Sequence, residues 1–296
     1  MNILAAAAIS DRSSSGVPVT VLIATLVAAA LHASWNAIAH WIPDKTVSIT
    51  IVNLGGMVCA VALMFVAAIP AAPSWGWLAA SVVLHVAYNY LLMTSYRLGD
   101  LSQTYPLARG TSPLVVTLLA AALLGESPSV GQLAGVLLIS AGLAWLVLWG
   151  QRTNPSRPAA LGAAVATGLM IAAYTTVDGI GVRLAHSTLG YIAWLMLLEQ
   201  IVIPAGAFAT HGRTLWRRIR PVWLIGVAGG AMSVAAYGLV LWAQTRGALA
   251  EVAALRESSI IAGALIGTLL FKESFGTARI FATCAVAAGI AAMYLL

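Results

Sequence analysis

Residues 88–126 read YNYLLMTSYRLGDLSQTYPLARGTSPLVVTLLAAALLGE, and residues 237–273 read YGLVLWAQTRGALAEVAALRESSIIAGALIGTLLFKE. With Tyr88 laid on Tyr237, Arg97 falls on Arg246. A two-residue deletion then brings Arg109 onto Arg256, Ser112 onto Ser259, Glu126 onto Glu273 and Ser127 onto Ser274. Further on, Ala141-Gly142 falls on Ala288-Gly289. One unit is written twice, and each copy carries an arginine inside an apolar run. Any two Leu/Ala-rich helices look alike, but Tyr, Arg and Glu-Ser at matching offsets favour a true repeat.

Composition names the solvent. Of 296 residues, 61% are hydrophobic and 8% charged, and the mean hydropathy is +0.94. A water-soluble domain is about half apolar and about a quarter charged, so lipid rather than water surrounds most of this chain. Cys59 and Cys284 lie in apolar runs, which argues against a disulfide framework. The net charge of +6 comes from loop arginines, the kind of charge that orients membrane helices, and a nucleic-acid partner is not expected. The Ala-rich start is short and is followed by Asp11, Arg12 and Ser13 to Ser15, so it does not read as a cleavable signal.

A helix needs about 20 apolar residues to cross the hydrocarbon core. Ten such runs are expected, near 18–40, 47–69, 75–97, 102–124, 129–149, 159–182, 188–209, 221–244, 249–271 and 276–295. Pro43, Pro70, Pro73, Pro128, Pro155 and Pro158 fall where helices start or stop. The polar segment QRTNPSRP (151–158) divides the chain into units 1–150 and 151–296, each with five runs. Five is odd, so the second unit enters the membrane upside down, as in many secondary transporters. The expected fold is therefore an all-α polytopic membrane protein, ten transmembrane helices forming two inverted five-helix repeats around a central cavity. Gly131/Gly135, Gly226/Gly230 and Gly263/Gly267 are spaced for ordinary close helix packing.

Short-loop cations indicate orientation. Arg12, Arg183 and Arg246 lie on the side of the termini. Opposite them lie Lys45, Arg97, Arg152, Arg157, Arg213, Arg217, Arg218, Arg220 and Lys272. Cytoplasmic loops carry the excess of Lys and Arg, which puts both termini on the non-cytoplasmic side. Four of those opposing charges come from the single loop HGRTLWRRIR (211–220).

Polar residues inside the runs mark the candidate site. Arg109 and Arg256 each sit about 10 Å into a run at 1.5 Å per residue. Their runs start from opposite faces, so the two guanidiniums flank the midplane. An ionised arginine cannot comfortably face lipid. One reading has them receive an anionic group such as a carboxylate, which the planar guanidinium matches. The other pairs them with helix carbonyls or with Asp178, Glu199 or Glu257. For Arg109 the readings are balanced; for Arg256, with Glu257 beside it, the structural one is stronger. Pro106, Gly110 and Pro113 around Arg109 should kink or open that helix and leave Thr111 and Ser112 seeking partners. Tyr105 shares a face with Arg109.

Three other runs carry polar stripes at helical spacing: His32, Trp35 and Asn36; His85, Tyr88 and Asn89; Tyr174 and Asp178. Such faces line an interior rather than contact lipid. Each histidine alone reads better as a hydrogen-bonded interior residue than as a proton carrier, and no metal-ligand spacing or cofactor motif is present. Tyr237 and Trp242 add aromatic walls, and Ser259 follows Arg256 by three. Trp75, Trp77, Trp216 and Trp223 lie near run ends as interfacial anchors. Glu126-Ser127 and Glu273-Ser274 read as caps or first-turn acids of the next helix. Asp178, Glu199 and Glu257 are the acids able to load a proton, and proton coupling is left open.

These residues carry a resemblance. Two halves of five helices, each closing with a helix, a Glu-Ser pair and another helix, resemble the drug/metabolite transporter superfamily, EamA family. LHASWNAIAH (31–40), YPLARGTSP (105–113), AAYTTVDG (172–179) and ALRESS (254–259) resemble the branch containing YddG-type amino-acid exporters. The likeness covers nearly the whole chain. It implies a carrier, not an enzyme, exporting amino acids or related small metabolites across a bacterial cytoplasmic (inner) membrane by alternating access. It also implies a monomer or weak homo-oligomer, with the cavity walled by the first, third, fourth, sixth, eighth and ninth helices. A membrane-embedded enzyme acting on lipid-type substrates is the alternative, but HExxH, Asp-rich diphosphate and Gly-x-Ser-x-Gly motifs are all missing. A channel is another, without the charge rings or filter repeat it would use.

Overall fold

The computed structural model describes residues 18–153, 155–271 and 276–295, and among these there is no strand. The helices are α1 (Val19–Trp41), α2 (Lys45–Met64), α3 (Trp75–Leu98), α4 (Leu101–Leu124), α5 (Val130–Thr153) and α6 (Pro158–Leu184). Then come α7 (Thr188–Gln200), α8 (Val202–Ile219), α9 (Trp223–Gln244), α10 (Leu249–Arg256), α11 (Ser259–Phe271) and α12 (Thr277–Leu295). Among the described residues nine stretches are long and apolar enough to cross a membrane, and the chain is an all-α polytopic membrane protein.

One of those nine, Thr188–Gln244, is 57 residues long and spans the seventh and eighth expected runs. Within it Gly212 leaves helical geometry (φ 56°, ψ −145°), and Arg220–Val222 forms a 3-10 turn before α9. Arg12, Lys272, Glu273 and Ser274 lie outside the described residues.

Helix ends follow local chemistry. The Asp44 Oδ1 accepts from the amides of Thr46 and Val47 at 3.1 and 3.2 Å, satisfying donors that the first turn of α2 leaves free. Lys45 Nζ donates to the carbonyls of His40 (2.9 Å) and Ile42 (3.2 Å) at the end of α1. Gly125 closes α4 in the left-handed region at φ 69°, where a side chain would be strained. Ser129 and Gln132 cap α5 reciprocally: the Ser129 amide donates to Gln132 Oε1 and the Gln132 amide to Ser129 Oγ.

Burial is inverted relative to a soluble protein. Leu118, Leu137, Leu224 and Leu269 are exposed, whereas Arg109, Asp178, Arg256 and Glu257 are buried. Exposed large hydrophobics this numerous, with charged groups inside, suit an apolar surrounding, so the lipid-facing reading comes from the folded surface as well as from composition.

Packing pairs α5 with α12, α3 with α6, α1 with α9, α4 with α6 and α2 with α9. Small residues set the closest crossings. A Cβ on Gly230 would lie 2.2 Å from the Gly56 nitrogen, and one on Gly135 would lie 2.6 Å from the Gly289 carbonyl oxygen. Side chains there would force α2 from α9 and α5 from α12. Gly263 faces open space instead.

The expected opening around Arg109 is not where the chain breaks. α4 runs unbroken through Pro106 and Pro113, and the Thr111 hydroxyl turns back to the Leu107 carbonyl at 2.7 Å. The ninth run divides instead, between α10 and α11 at Glu257-Ser258. No proline causes this. The amides of Glu257, Ser258, Ile260 and Ile261 each reach a carbonyl three residues back, all at 3.0 Å, so the chain tightens through this turn.

Candidate functional site

Two polar clusters lie inside the bundle. The first centres on Asp178, late in α6 and fully buried. Tyr191 on α7 donates its hydroxyl to Oδ1 at 3.0 Å, and Tyr237 on α9 donates to Oδ2 at 2.5 Å. A carboxylate removed from water needs such donors to replace its hydration. The His85 ring on α3 stacks on Tyr174 with centroids 4.0 Å apart and meets Tyr237 edge-on at 5.8 Å. Tyr88 meets Tyr174 edge-on at 5.5 Å. The Nδ1 of His85 lies 3.1 Å from Ser81 Oγ and 3.0 Å from the Ser81 carbonyl oxygen, and Nε2 lies 3.8 Å from Glu199 Oε2.

The second cluster joins α4 to the break between α10 and α11. Arg109 Nη2 donates to Ser259 Oγ at 2.9 Å, and Nε lies 3.0 Å from Glu257 Oε2. That second contact is off the hydrogen-bond direction, so it acts as a charge pair rather than a directed bond. The guanidinium also sits 5.8 Å from the centre of the Tyr105 ring. Glu257 follows Arg256 in sequence yet faces Arg109. Arg256 is buried, and its Nε and Nη2 have no hydrogen-bond partner among the described residues. The two arginines thus differ: one is matched, the other carries donors to spare.

The structure gathers His85, Tyr88, Tyr174, Asp178 and Tyr237 into one group, and Tyr105, Arg109 and Ser259 into the other with Arg256 beside it. Tyr88, Asn89, Tyr105 and Tyr237 keep partial exposure despite their interior positions. Trp35 packs edge-on against His32 at 5.3 Å, while Asn36 is exposed and donates to the His32 carbonyl at 2.7 Å. Trp242 stands apart. It packs against the cluster containing Val21 and Leu255, with the Arg246 guanidinium 4.3 Å from its ring centre. A pocket of about 180 Å³ between α4 and α5, lined by Pro106, Gly110, Leu114 and Ser140 among others, lies across α4 from Arg109.

Sequence reasoning missed Ser81 and Tyr191 as site residues. Ser81 sits one helical turn before His85 and extends its stripe, a signal that was available. Tyr191 is a single hydroxyl in an apolar run and gave none. The reading of Glu126 also needs correction. Its two carboxylate oxygens accept the Leu249 amide at 3.1 and 3.0 Å, capping α10 rather than the next helix, α5. Arg183 lies 3.5 Å from the same carboxylate and donates to the carbonyls of Gln244 (2.9 Å) and Gly247 (3.0 Å). The cap acts across the two halves because α5 already has its own Ser129–Gln132 cap.

Residues 19–148 match the model of the EamA-like transporter family. A solved crystal structure, 18% identical, aligns with a TM-score of 0.68 over 93% of this chain and 95% of its own, which makes the two folds alike. A search of the curated proteins finds no match.

Proposed function

We propose that this chain is a secondary transporter, not an enzyme, that exports amino acids or related small metabolites by alternating access through a central mid-membrane cavity. One observation carries the reading: Arg256 is buried at mid-span with two guanidinium nitrogens unpartnered among the described residues, while Glu257 is committed to Arg109. Buried guanidinium donors left without hydrogen-bond partners cost about 1–3 kcal/mol or more, and a substrate carboxylate accepting from both nitrogens would offset that cost. Asp178 and the faces of Tyr88, Tyr174 and Tyr237 then suit an ammonium group. The transporter family matched over residues 19–148 and the YddG-like motifs point the same way.

The inverted-repeat reading, with units 1–150 and 151–296, has support from the packing. Exchanging first and second halves carries the α3–α6 pairing onto α1–α9 and leaves α5–α12 on itself. The same exchange turns α4–α6 into the contact of α10 and α11 with α1. In this reading α7 with α8 forms the seventh crossing, α9 the eighth, and α10 with α11 the ninth. The excess of loop cations opposite the termini supports an orientation with both termini outside a bacterial cytoplasmic membrane. The carrier works as a monomer or weak homo-oligomer.

The test is counterflow in proteoliposomes with a panel of labelled amino acids, wild type against Arg256→Gln. Saturable exchange of one or more members, lost in the variant while folded protein persists, is the expected result. Exchange by the wild type that is unchanged in Arg256→Gln would remove Arg256 from the site, and product formation by detergent-purified protein would replace the carrier with an enzyme.

A further inference from the structure

We infer that His85 and Glu199 form a proton-loading site that couples substrate export to proton entry. Glu199 is the twelfth residue of α7 (Thr188–Gln200), and His85 is the eleventh of α3 (Trp75–Leu98), so both lie well inside their spans. Glu199 Oε2 is buried with no hydrogen-bond partner among the described residues, and the group closest to it in charge is His85 Nε2 at 3.8 Å. Across the same ring, Nδ1 lies 3.0 Å from the Ser81 carbonyl oxygen, which can only accept. The Ser81 carbonyl favours a proton on Nδ1, with the Ser81 hydroxyl also 3.1 Å from that atom, and Nε2 is the ring nitrogen that faces Glu199. At 3.8 Å the two atoms stand at ion-pair rather than hydrogen-bond distance: either Glu199 is protonated and neutral beside a neutral ring, or Nε2 carries the proton and faces the carboxylate. One shared proton satisfies both residues; an ionised Glu199 beside a neutral ring leaves a carboxylate in the membrane interior without a counterion.

The pair is joined to the substrate groups. His85 stacks on Tyr174 and meets Tyr237, whose hydroxyl donates to Asp178. The charged and titratable groups around it are Tyr174 and Asp178 from α6, Tyr191 from α7, Tyr237 from α9 and Arg256 from α10. α2, packed on α7, contributes Cys59 to the adjoining cluster. Arg109, Arg256, Asp178 and Glu257 are buried around the site, and a proton on Glu199 removes one negative charge from their neighbourhood. A substrate ammonium and a proton therefore compete for that charge. Glu199 takes a proton from one side as substrate leaves, and gives the same proton up on the other side as substrate binds. No bond other than O–H or N–H changes.

This coupling goes beyond the export reading and does not depend on which substrate is carried. Two measurements on the full chain test it. In proteoliposomes, a gradient of about one pH unit should drive about tenfold accumulation at one proton per substrate. Glu199→Gln should abolish that accumulation and also lower counterflow at symmetric pH, because it fixes the site in the neutral form that excludes substrate, whereas Glu199→Asp should keep both. Infrared difference spectra of detergent-purified protein between acidic and alkaline buffer should show a carboxylic-acid band that Glu199→Gln removes. Wild-type exchange indifferent to the gradient, gradient-driven accumulation persisting in Glu199→Gln, or a spectrum unchanged by the substitution would each overturn the inference. A panel with no transported member counts against the export reading, and the infrared measurement still decides the proton site.

Discussion

α4 and the α10–α11 pair are two versions of one sequence unit, and they behave in opposite ways. α4 holds Pro106, Gly110 and Pro113 yet runs unbroken, while the copy without prolines divides at Glu257-Ser258. The arginines differ in the same sense. Arg109 on the continuous helix is met by Glu257 and Ser259, whereas Arg256 on the broken one has two nitrogens without partners among the described residues. Proline removes one backbone donor from a helix that its neighbours otherwise hold in place. Drawing Glu257 toward α4 while Arg256 stays in its own helix asks adjacent residues to face different partners, and a tight turn between them meets that demand. In this chain the distribution of charge partners, more than proline, decides where a membrane helix opens.

The largest expected effect removes the matched arginine's counterion. Glu257→Leu leaves Arg109 buried beside Ser259 alone and should cost about 3–5 kcal/mol of stability, read as a lowered unfolding midpoint in detergent. Adding Arg109→Met should return much of that loss, because removing both charges also removes both desolvation penalties. A double variant no more stable than the single would mean that the pair does not act as a unit.

The unmatched arginine should respond with the opposite sign. Arg256→Gln is expected to leave stability unchanged or raise it by about 1 kcal/mol, while substrate exchange falls at least about tenfold, the equivalent of about 1.4 kcal/mol in binding. Stability lost in parallel with Arg109 variants would erase the distinction between the copies.

Different readouts should separate the two hydroxyls on Asp178. Tyr237→Phe and Tyr191→Phe each delete one hydrogen bond to a carboxylate, worth about 1.5–3 kcal/mol. Tyr237 touches the aromatic group around His85 and keeps partial exposure, whereas Tyr191 is sealed in the packing around Leu195 and Leu241. Tyr237→Phe should therefore raise the substrate KM, and Tyr191→Phe should lower the unfolding midpoint with little change in KM. Equal effects of the two on KM would place both hydroxyls at the substrate.

The sequence disclosed what depends on period and composition. Apolar run length located the helices, and the stripes His85/Tyr88 and Tyr174/Asp178 predicted faces that do converge. What it could not disclose depends on which distant residue arrives opposite. Glu257 stands next to Arg256 in the chain, yet its Oε2 lies 3.0 Å from the Nε of Arg109, 148 positions away. Glu126 reads as a local cap, yet Leu249, more than 100 positions later, presents the amide it accepts. Trp242 shares α9 with Tyr237 but faces the Val21 packing, because residues five apart on a helix point in different directions.

The smallest expected effect is the most direct challenge to the contrast between the copies. If the prolines of α4 are not its opening, Pro113→Ala should change stability by less than about 1 kcal/mol: the new amide regains a backbone bond that the surrounding helices have already learned to do without. Exchange should stay within about twofold of wild type. The alternative is that Pro113 holds α4 ready to bend during transport, and then the substitution would slow exchange while leaving substrate binding intact. Equilibrium binding and exchange measured on the same preparation separate these outcomes. A loss confined to exchange would move the hinge to the proline-bearing copy and leave the break at Glu257-Ser258 as a binding feature alone.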